Sequence, residues 1–519
     1  MEKHHRDDEK ITLAEKNSIE NILNGHTLQL GRILKMGANH GHEKRVEKAL
    51  RNEYCHVPVL SGLDKDHKQR KENEPQPFRP VGGADESNNM QLSDMCSTIV
   101  TGISNCIDKK LKTLCRSTEE MICELERVNN RNDVEDLVVL STDIEAMYPS
   151  LDTDQVAADV AREFLDCELE VNYDETELAL YLAIEMEREE LVSLGLGEVT
   201  HTRPHKPGQK PRGRKPGITT EEILNRGQKT KTKFVLPERK PTGSESRLMF
   251  SLVLEHAIKT AMKNHIYSYN GQLFRQKRGA AIGLKLSGSL AVFATQVWSK
   301  RFNDLLAEAN SDTTMLKLYM SSYYMDDGNW AARALPPGCR LVEGKLEIVQ
   351  SEVENDCQIP ADIRTGKIIQ EIGNSINNYI RLTVDTPSSH PSGWMPILNI
   401  QVKVENNKIV YKWFRKEMSN YLLLLANSAM PDRTKRECLV QYAMTILLNT
   451  SRQLPWEVAA DTLSEFSHRM MVSSYHTKFR LEVIQAAVVG YERKVARAES
   501  GRPSRGPETT NRRDGGGRN

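Results

Sequence analysis

The chain has 519 residues, 71 Lys and Arg against 71 Asp and Glu, and is 38% hydrophobic where about 45–50% is usual. That length suits three or four structural units, and the apolar shortfall leaves some segments outside any core. Zero net charge gives no global pull towards nucleic acid or membrane, no run reaches the roughly 18–20 apolar residues of a membrane span, and the N-terminus lacks a secretion signal, so a soluble, intracellular protein is expected.

In chain order, residues 1–50 read as an N-terminal extension, and order is expected over 43–152, 243–333 and 393–494. The apolar run Leu137-Val138-Val139-Leu140 reads as a buried strand. Apolar residues at three- and four-residue spacing predict helices over 154–165, 177–191, 245–267, 287–309 and 455–493. Strands are predicted over 315–324, 397–404 and 408–414, with Asn406-Asn407 as the turn of the last pair. The sum is a mixed α+β chain.

Charge is organised in blocks. Residues 151–200 hold 15 acidic and 2 basic residues, and 201–240 hold 12 basic and 3 acidic ones. Within the second block, 201–217 carries Pro and Gly throughout and six basic residues, so it reads as a flexible basic loop, as does the tail 499–519. Either would graze phosphates or simply be solvated. The nine Cys are odd in number and contain no CxxC pair, which argues against a disulfide framework or zinc finger and predicts reduced core thiols.

Two places put carboxylates where chemistry can use them. Asp143 follows the 137–140 strand and emerges at a sheet edge, although an Asp there also serves as a plain turn cap. Tyr324-Met325-Asp326-Asp327-Gly328 follows a β-rich run, and Asp-Gly signals a hairpin with paired carboxylates at its tip. Two like charges at one tip are costly unless a cation or solvent offsets them, and carboxylate oxygens are what Mg²⁺ prefers.

Tyr324-Met325-Asp326-Asp327 resembles motif C of reverse transcriptases. Asp143 followed five residues later by Tyr148 resembles motif A, and 276–288 (QKRGAAIGLKLSG) between them resembles motif B. Upstream, 62–68 (GLDKDHK) with Arg79-Pro80-Val81 resembles the fingers motifs. Downstream, 395–400, 411–416, Tyr421-Leu422, Ser428 and Lys435 resemble the primer grip and thumb of Penelope-like retroelements. The resemblance covers about 55–451.

That resemblance implies a right-hand polymerase fold: fingers over 51–135, a palm with an antiparallel sheet over 136–150 and 241–400, and a helical thumb over 401–494. Residues 151–240 become an insertion with acidic then basic flexible segments, and 495–519 a disordered basic tail. It implies an RNA-directed DNA polymerase that extends a primer on an RNA or DNA template with dNTPs, in nucleus or cytoplasm. Asp143, Asp326 and Asp327 would be catalytic and, with the Ile144 carbonyl, would hold two Mg²⁺, or Mn²⁺ in their place. Lys65 and Arg79 would grip the triphosphate, Tyr148 would exclude a ribose 2′-OH, and Gln276, Gly279 and Gly283 would line the nucleotide site. Lys68, Arg415, Lys416 and Lys435 would contact nucleic acid.

Three features depart from the pattern. Motif B ends in Ser287-Gly288 rather than Ser-Pro, the interval from motif A to motif B is long, and neither a GIY-YIG endonuclease nor an RNase H carboxylate set can be read, so a separate endonuclease is expected. The competing readings are a catalytically inactive nucleic-acid-binding relative, an RNA-dependent RNA polymerase, and a telomerase-like enzyme. The last would want an RNA-binding domain for which 1–51 is too short.

Overall fold

The structure, a computed structural model, describes residues 8–34, 57–64, 78–82, 87, 89–187, 193, 194, 196, 198–201, 232–235, 243–310, 315–415 and 422–499. It is a mixed helix-and-sheet fold in which the sheets are antiparallel.

The described residues begin with strand β1 (Glu9–Ile11) and helix α1 (Leu13–Ile33), whose start is fixed by a capping box between Thr12 and Glu15. Leu23, Leu30 and Ile33 of α1 are buried in the main hydrophobic cluster. Residues 8–34 are therefore part of the body rather than the expected extension. Next come β2 (Leu60–Asp64), β3 (Phe78–Gly82), α2 (Met90–Leu111) and α3 (Thr118–Asn129). β2 and β3 pair with each other.

β4 (Leu137–Ile144) runs four residues past the apolar stretch that announces it. The one-turn helix α4 (Met147–Ser150), α5 (Thr153–Asp166) and α6 (Glu175–Glu185) follow. The acidic half of the expected insertion is thus core: Val156, Val160, Phe164, Leu178 and Leu182 are buried in the main cluster. Asp152, Asp154 and Asp166 are exposed, whereas Asp159 and Glu163 are buried and pair with Arg301 and Lys300 respectively. α6 stops at Glu185, short of the predicted 191.

β5 (Glu198–His201) pairs with β6 (Thr232–Val235). α7 (Gly243–Lys263) leads into β7 (Ile266–Tyr269) and β8 (Gln272–Arg275), so the helix predicted to 267 gives way to a strand. β8 also pairs with β1, which ties the N-terminal segment into a three-stranded sheet.

α8 (Lys285–Ala309) is the long helix under the central sheet, followed by the hairpin β9 (Leu318–Tyr324) and β10 (Asp327–Arg333). Residues 334–392, outside the expected ordered parts, supply β11 (Cys339–Val342), β12 (Lys345–Ile348), α9 (Gln350–Asp356), α10 (Ala361–Ser375) and β13 (Leu382–Asp385). β13 completes a four-stranded sheet in the order β13-β4-β10-β9.

One face of this sheet, including Val138, Leu140, Ile144 and Trp330, packs into the main cluster. The other face buries Leu137, Val139 and Ala331 in a second cluster with β14 (Met395–Ile397), β15 (Ile400–Glu405) and β16 (Lys408–Trp413). α11 (Asp432–Leu448), α12 (Trp456–Val472) and α13 (Thr477–Glu499) enclose a third cluster around Leu447, Phe466 and Met470. The helix predicted over 455–493 is two helices, broken where Ser474 adopts φ 71°.

The expectation of core thiols is met by Cys96, Cys115 and Cys339, which are buried, but not by Cys123, Cys357 and Cys438, which are exposed. Among the described residues no helix is long and apolar enough to cross a membrane.

Candidate active site

In the ladder between β4 and β10, Leu137 faces Arg333, Val139 faces Ala331, Ser141 faces Asn329 and Asp143 faces Asp327. Residues directly opposite in an antiparallel pair share a face, with Cβ atoms about 4.5–5.5 Å apart. Along this face the chemistry changes. Leu137, Val139 and Ala331 are buried in the second cluster, Ser141 is half-buried, and Asp143 is exposed. The cluster stops before Ser141, so the face ends in a polar strip that opens to solvent at its last pair, two carboxylates. β13 widens the strip, with Thr383 opposite Asp143 and Asp385 opposite Ser141. The Thr383 hydroxyl donates to the Asp143 carbonyl at 3.4 Å.

Asp326 is held beside this pair by the hairpin turn. Tyr324 pairs with Asp327, so the two-residue loop is Met325-Asp326 and not the Asp-Gly step that the sequence suggests. Met325 takes the left-handed φ of 57° and is 52% exposed. The Ile144 N–H donates to the Asp326 carbonyl at 3.2 Å, which locks the turn to the end of β4. Gly328 lies within the strand, where a Cβ would run into Thr142 Oγ1; its smallness serves packing, not the turn. Beneath the hairpin, Trp298, Tyr323 and Trp330 meet edge to face with ring centroids 5.5–6.4 Å apart, a rigid floor for the strip.

Ala146, at φ 48°, bends the chain from β4 into α4 and so places Tyr148 half-buried against the main cluster. The Tyr148 carbonyl accepts from Ala280 N–H at 2.8 Å. Gly279, at φ 70°, sits so close to this bend that a Cβ would lie 2.5–2.7 Å from Tyr148 O and the Pro149 backbone. The missing side chain at Gly279 lets it approach the backbone that carries Tyr148. Gly283 has φ 121° ahead of α8, which starts at Lys285, two residues before the expected Ser287. The Gln276 side-chain amide donates to the Arg278 carbonyl at 2.8 Å.

The remaining candidates scatter. Arg79 stands in β3 opposite Leu63. Lys65, Lys68, Lys416 and Tyr421 lie outside the described residues, as does the basic loop 202–217. Arg415 pairs with Glu465 at 3.5 Å and lines a cavity of about 480 Å³ between β16 and α12, together with Lys412, Trp413, Asp461 and Arg469. Lys435 corrects the sequence reading: it is 3% exposed, and its ammonium donates to the Ala426 carbonyl at 2.7 Å and to Asp432 at 3.2 Å. It holds the start of α11.

Sequence reasoning missed two residues of the strip. Asn329 is 1% exposed, and its Nδ2 has no partner among the described residues. Its position two residues after Asp327 would have indicated the shared face, given the hairpin register. Thr383 arrives from a strand far along the chain and has no local signal.

The donors available to a metal are carboxylate oxygens and the Ile144 carbonyl, a hard set of the kind Mg²⁺ takes. Two facing carboxylates are mutually unfavourable without a cation. The three Asp do not close into a cage with all ligand atoms within 4.8 Å of one another. Mg²⁺ does not require one, since it uses one or two carboxylates and leaves the rest of its shell to water and substrate phosphates.

No family model and no curated protein matches the chain. Solved structures with some similarity include a Candida albicans telomerase with a telomeric RNA fragment (TM-score 0.40, 10% identity, 88% of this chain covered) and an apo telomerase from Candida tropicalis (0.35, 11%, 93%). A BmCPV RNA-dependent RNA polymerase at elongation state is a third (0.38, 11%, 89%). The chain spans 66%, 64% and 30% of their respective lengths.

Proposed function

We propose that this chain is a reverse transcriptase of a retroelement, similar to the Penelope-like family, which extends a primer 3′-OH with dNTPs on an RNA or DNA template. The observation that carries the reading is the register setting Asp143 against Asp327 at the open end of an antiparallel sheet, with Asp326 in the adjoining turn. In this reading the sheet β13-β4-β10-β9 is the palm, the β2-β3 ribbon belongs to the fingers, and α11 to α13 form the thumb.

Asp143, Asp326, Asp327 and the Ile144 carbonyl would hold two Mg²⁺, which when bound lower the pKa of the attacking hydroxyl and offset charge on the leaving pyrophosphate. The protein's own task is positioning and charge balance. Lys65 and Arg79 grip the triphosphate, Arg as a two-pronged donor. Tyr148, held by the contact of Gly279 and Ala280 with its backbone, blocks the space a 2′-OH would need. Lys68, Arg415 and Lys416 follow the nucleic-acid backbone, a contact that adds affinity without reading sequence. The protein acts in the nucleus or cytoplasm.

Primer extension on homopolymeric RNA and DNA templates, with dNTPs or NTPs, tests the reading. Asp143→Asn and Asp326→Asn should abolish extension while template-primer binding persists, since a lost metal ligand costs several kcal/mol of barrier, on the order of a thousandfold in rate. Extension retained within about tenfold of the unsubstituted chain removes this site.

A further inference from the structure

Away from the carboxylate strip, three helices bring two imidazoles and a carboxylate together. His26 of α1, Glu185 at the end of α6 and His256 of α7 each offer a ligand atom within 4.8 Å of the other two. Glu185 Oε2 stands 3.8 Å from His26 Nε2 and 3.6 Å from His256 Nε2. Donors held at about 2.0–2.2 Å from one tetrahedral ion lie roughly 3.3–3.6 Å apart, so small side-chain rotations would close these three on one centre.

The surroundings suit such an ion. His26 Nδ1 lies 3.0 Å from the hydroxyl of Tyr181, a residue with 0% exposure. That contact orients the ring and leaves Nε2 towards Glu185, the outer support that a metal-ligating imidazole requires. Burial lowers the His26 pKa, which favours the neutral imidazole a metal binds, and the His256 hydrogen bond holds the Glu185 carboxyl down. Side-chain exposure rises from 8% at His26 to 25% at Glu185 and 34% at His256, so one side is open for a fourth ligand.

We propose that His26, Glu185 and His256 form a transition-metal site of the Zn²⁺ class, with water in the fourth position, that clips α1 to α6 and α7. The donor set decides the metal. Imidazole nitrogens suit Zn²⁺, Co²⁺ or Ni²⁺, whereas Mg²⁺ takes oxygen, so this site and the carboxylate strip select different ions. The clip joins the N-terminal helix to two helices distant in sequence, and it stands independently of the polymerase reading.

Equilibrium dialysis of the chelator-stripped full chain against Zn²⁺ in excess Mg²⁺, with bound metal counted by mass spectrometry, tests the site. The intact chain and Asp143→Asn should each retain one equivalent that His256→Ala and Glu185→Gln bind at least tenfold more weakly. Free thiols would bind equally in all four and so cancel. Co²⁺ in place of Zn²⁺ should give the visible absorption of a four-coordinate centre, and Zn²⁺ should raise the unfolding midpoint of the intact chain but not of the two site variants. His256→Asn replaces the alanine variant if that one fails to fold. No Zn²⁺ retained by the intact chain, or equal retention in the site variants, overturns the proposal and leaves two imidazoles sharing a carboxylate.

Discussion

Tyr148 lies on the bend after Asp143, half-buried against the main cluster, with its carbonyl bound to Ala280. A core aromatic and a sugar gate both fit that position, and substitution separates them. Tyr148→Ala should raise ribonucleotide incorporation relative to dNTPs by tenfold or more, because relief of a clash of about 1.4 kcal/mol is worth a factor of ten. A purely structural ring would lower stability and both activities together, with their ratio unchanged. His265, between α7 and β7, gives a pH test. It is 3% exposed, its Nδ1 has no partner among the described residues, and burial pushes its pKa down to about 4 from the usual 6.5. The unfolded chain takes up the proton first as pH falls, so stability present above pH 6.5 is lost between there and about 4. The loss is on the order of 3 kcal/mol. Urea midpoints measured across that window should fall less steeply in His265→Asn; parallel curves would show that His265 does not govern the slope.

Among the elements, α11 shows how a charge that reads as surface becomes a structural part. Lys435 donates to the Ala426 carbonyl and Asp432 from a position 3% exposed. Lys435→Met should lower thermal stability by about 1–3 kcal/mol, since the carbonyl loses its charged donor. RNA binding should keep its salt dependence; a log-log slope flattened by roughly 0.7–0.9 would return Lys435 to the phosphate-contacting set. Two other elements contrast in legibility. Asn406 and Asn407 both take positive φ, 49° and 58°, and make the two-residue turn their types predict. The break between α12 and α13 has no Gly or Pro, and apolar spacing runs through it because both helices bury residues in one cluster.

For the molecule as a whole, residues 8–34 are part of the core. Leu23, Leu30 and Ile33 are 1%, 0% and 0% exposed, and β1 adds a strand to β8. Emptying three such sites at about 2–5 kcal/mol each approaches the whole stability of an ordinary domain, about 5–15 kcal/mol. A chain lacking residues 8–34 should lose cooperative unfolding and near-ultraviolet circular dichroism. A cooperative transition within a few degrees of the full chain would mean that the N-terminal segment is an accessory after all.

The local signals were sufficient for some parts of this protein. The apolar run before Asp143, the Asn-Asn turn and the adjacent Asp326 and Asp327 are written in neighbouring residues, and neighbours decide them because strand propensity and turn geometry act over a few positions. The rest depended on distant pairing. Asp143 and Asp327 face each other only because β4 and β10 pair in one register, and a slip of one residue would turn the two onto opposite faces. Thr383 reaches the strip, Lys435 leaves the surface, and His26 meets Glu185 and His256 for the same reason. Burial and strand order are properties of contacts between remote segments, which composition and periodicity along one segment do not contain.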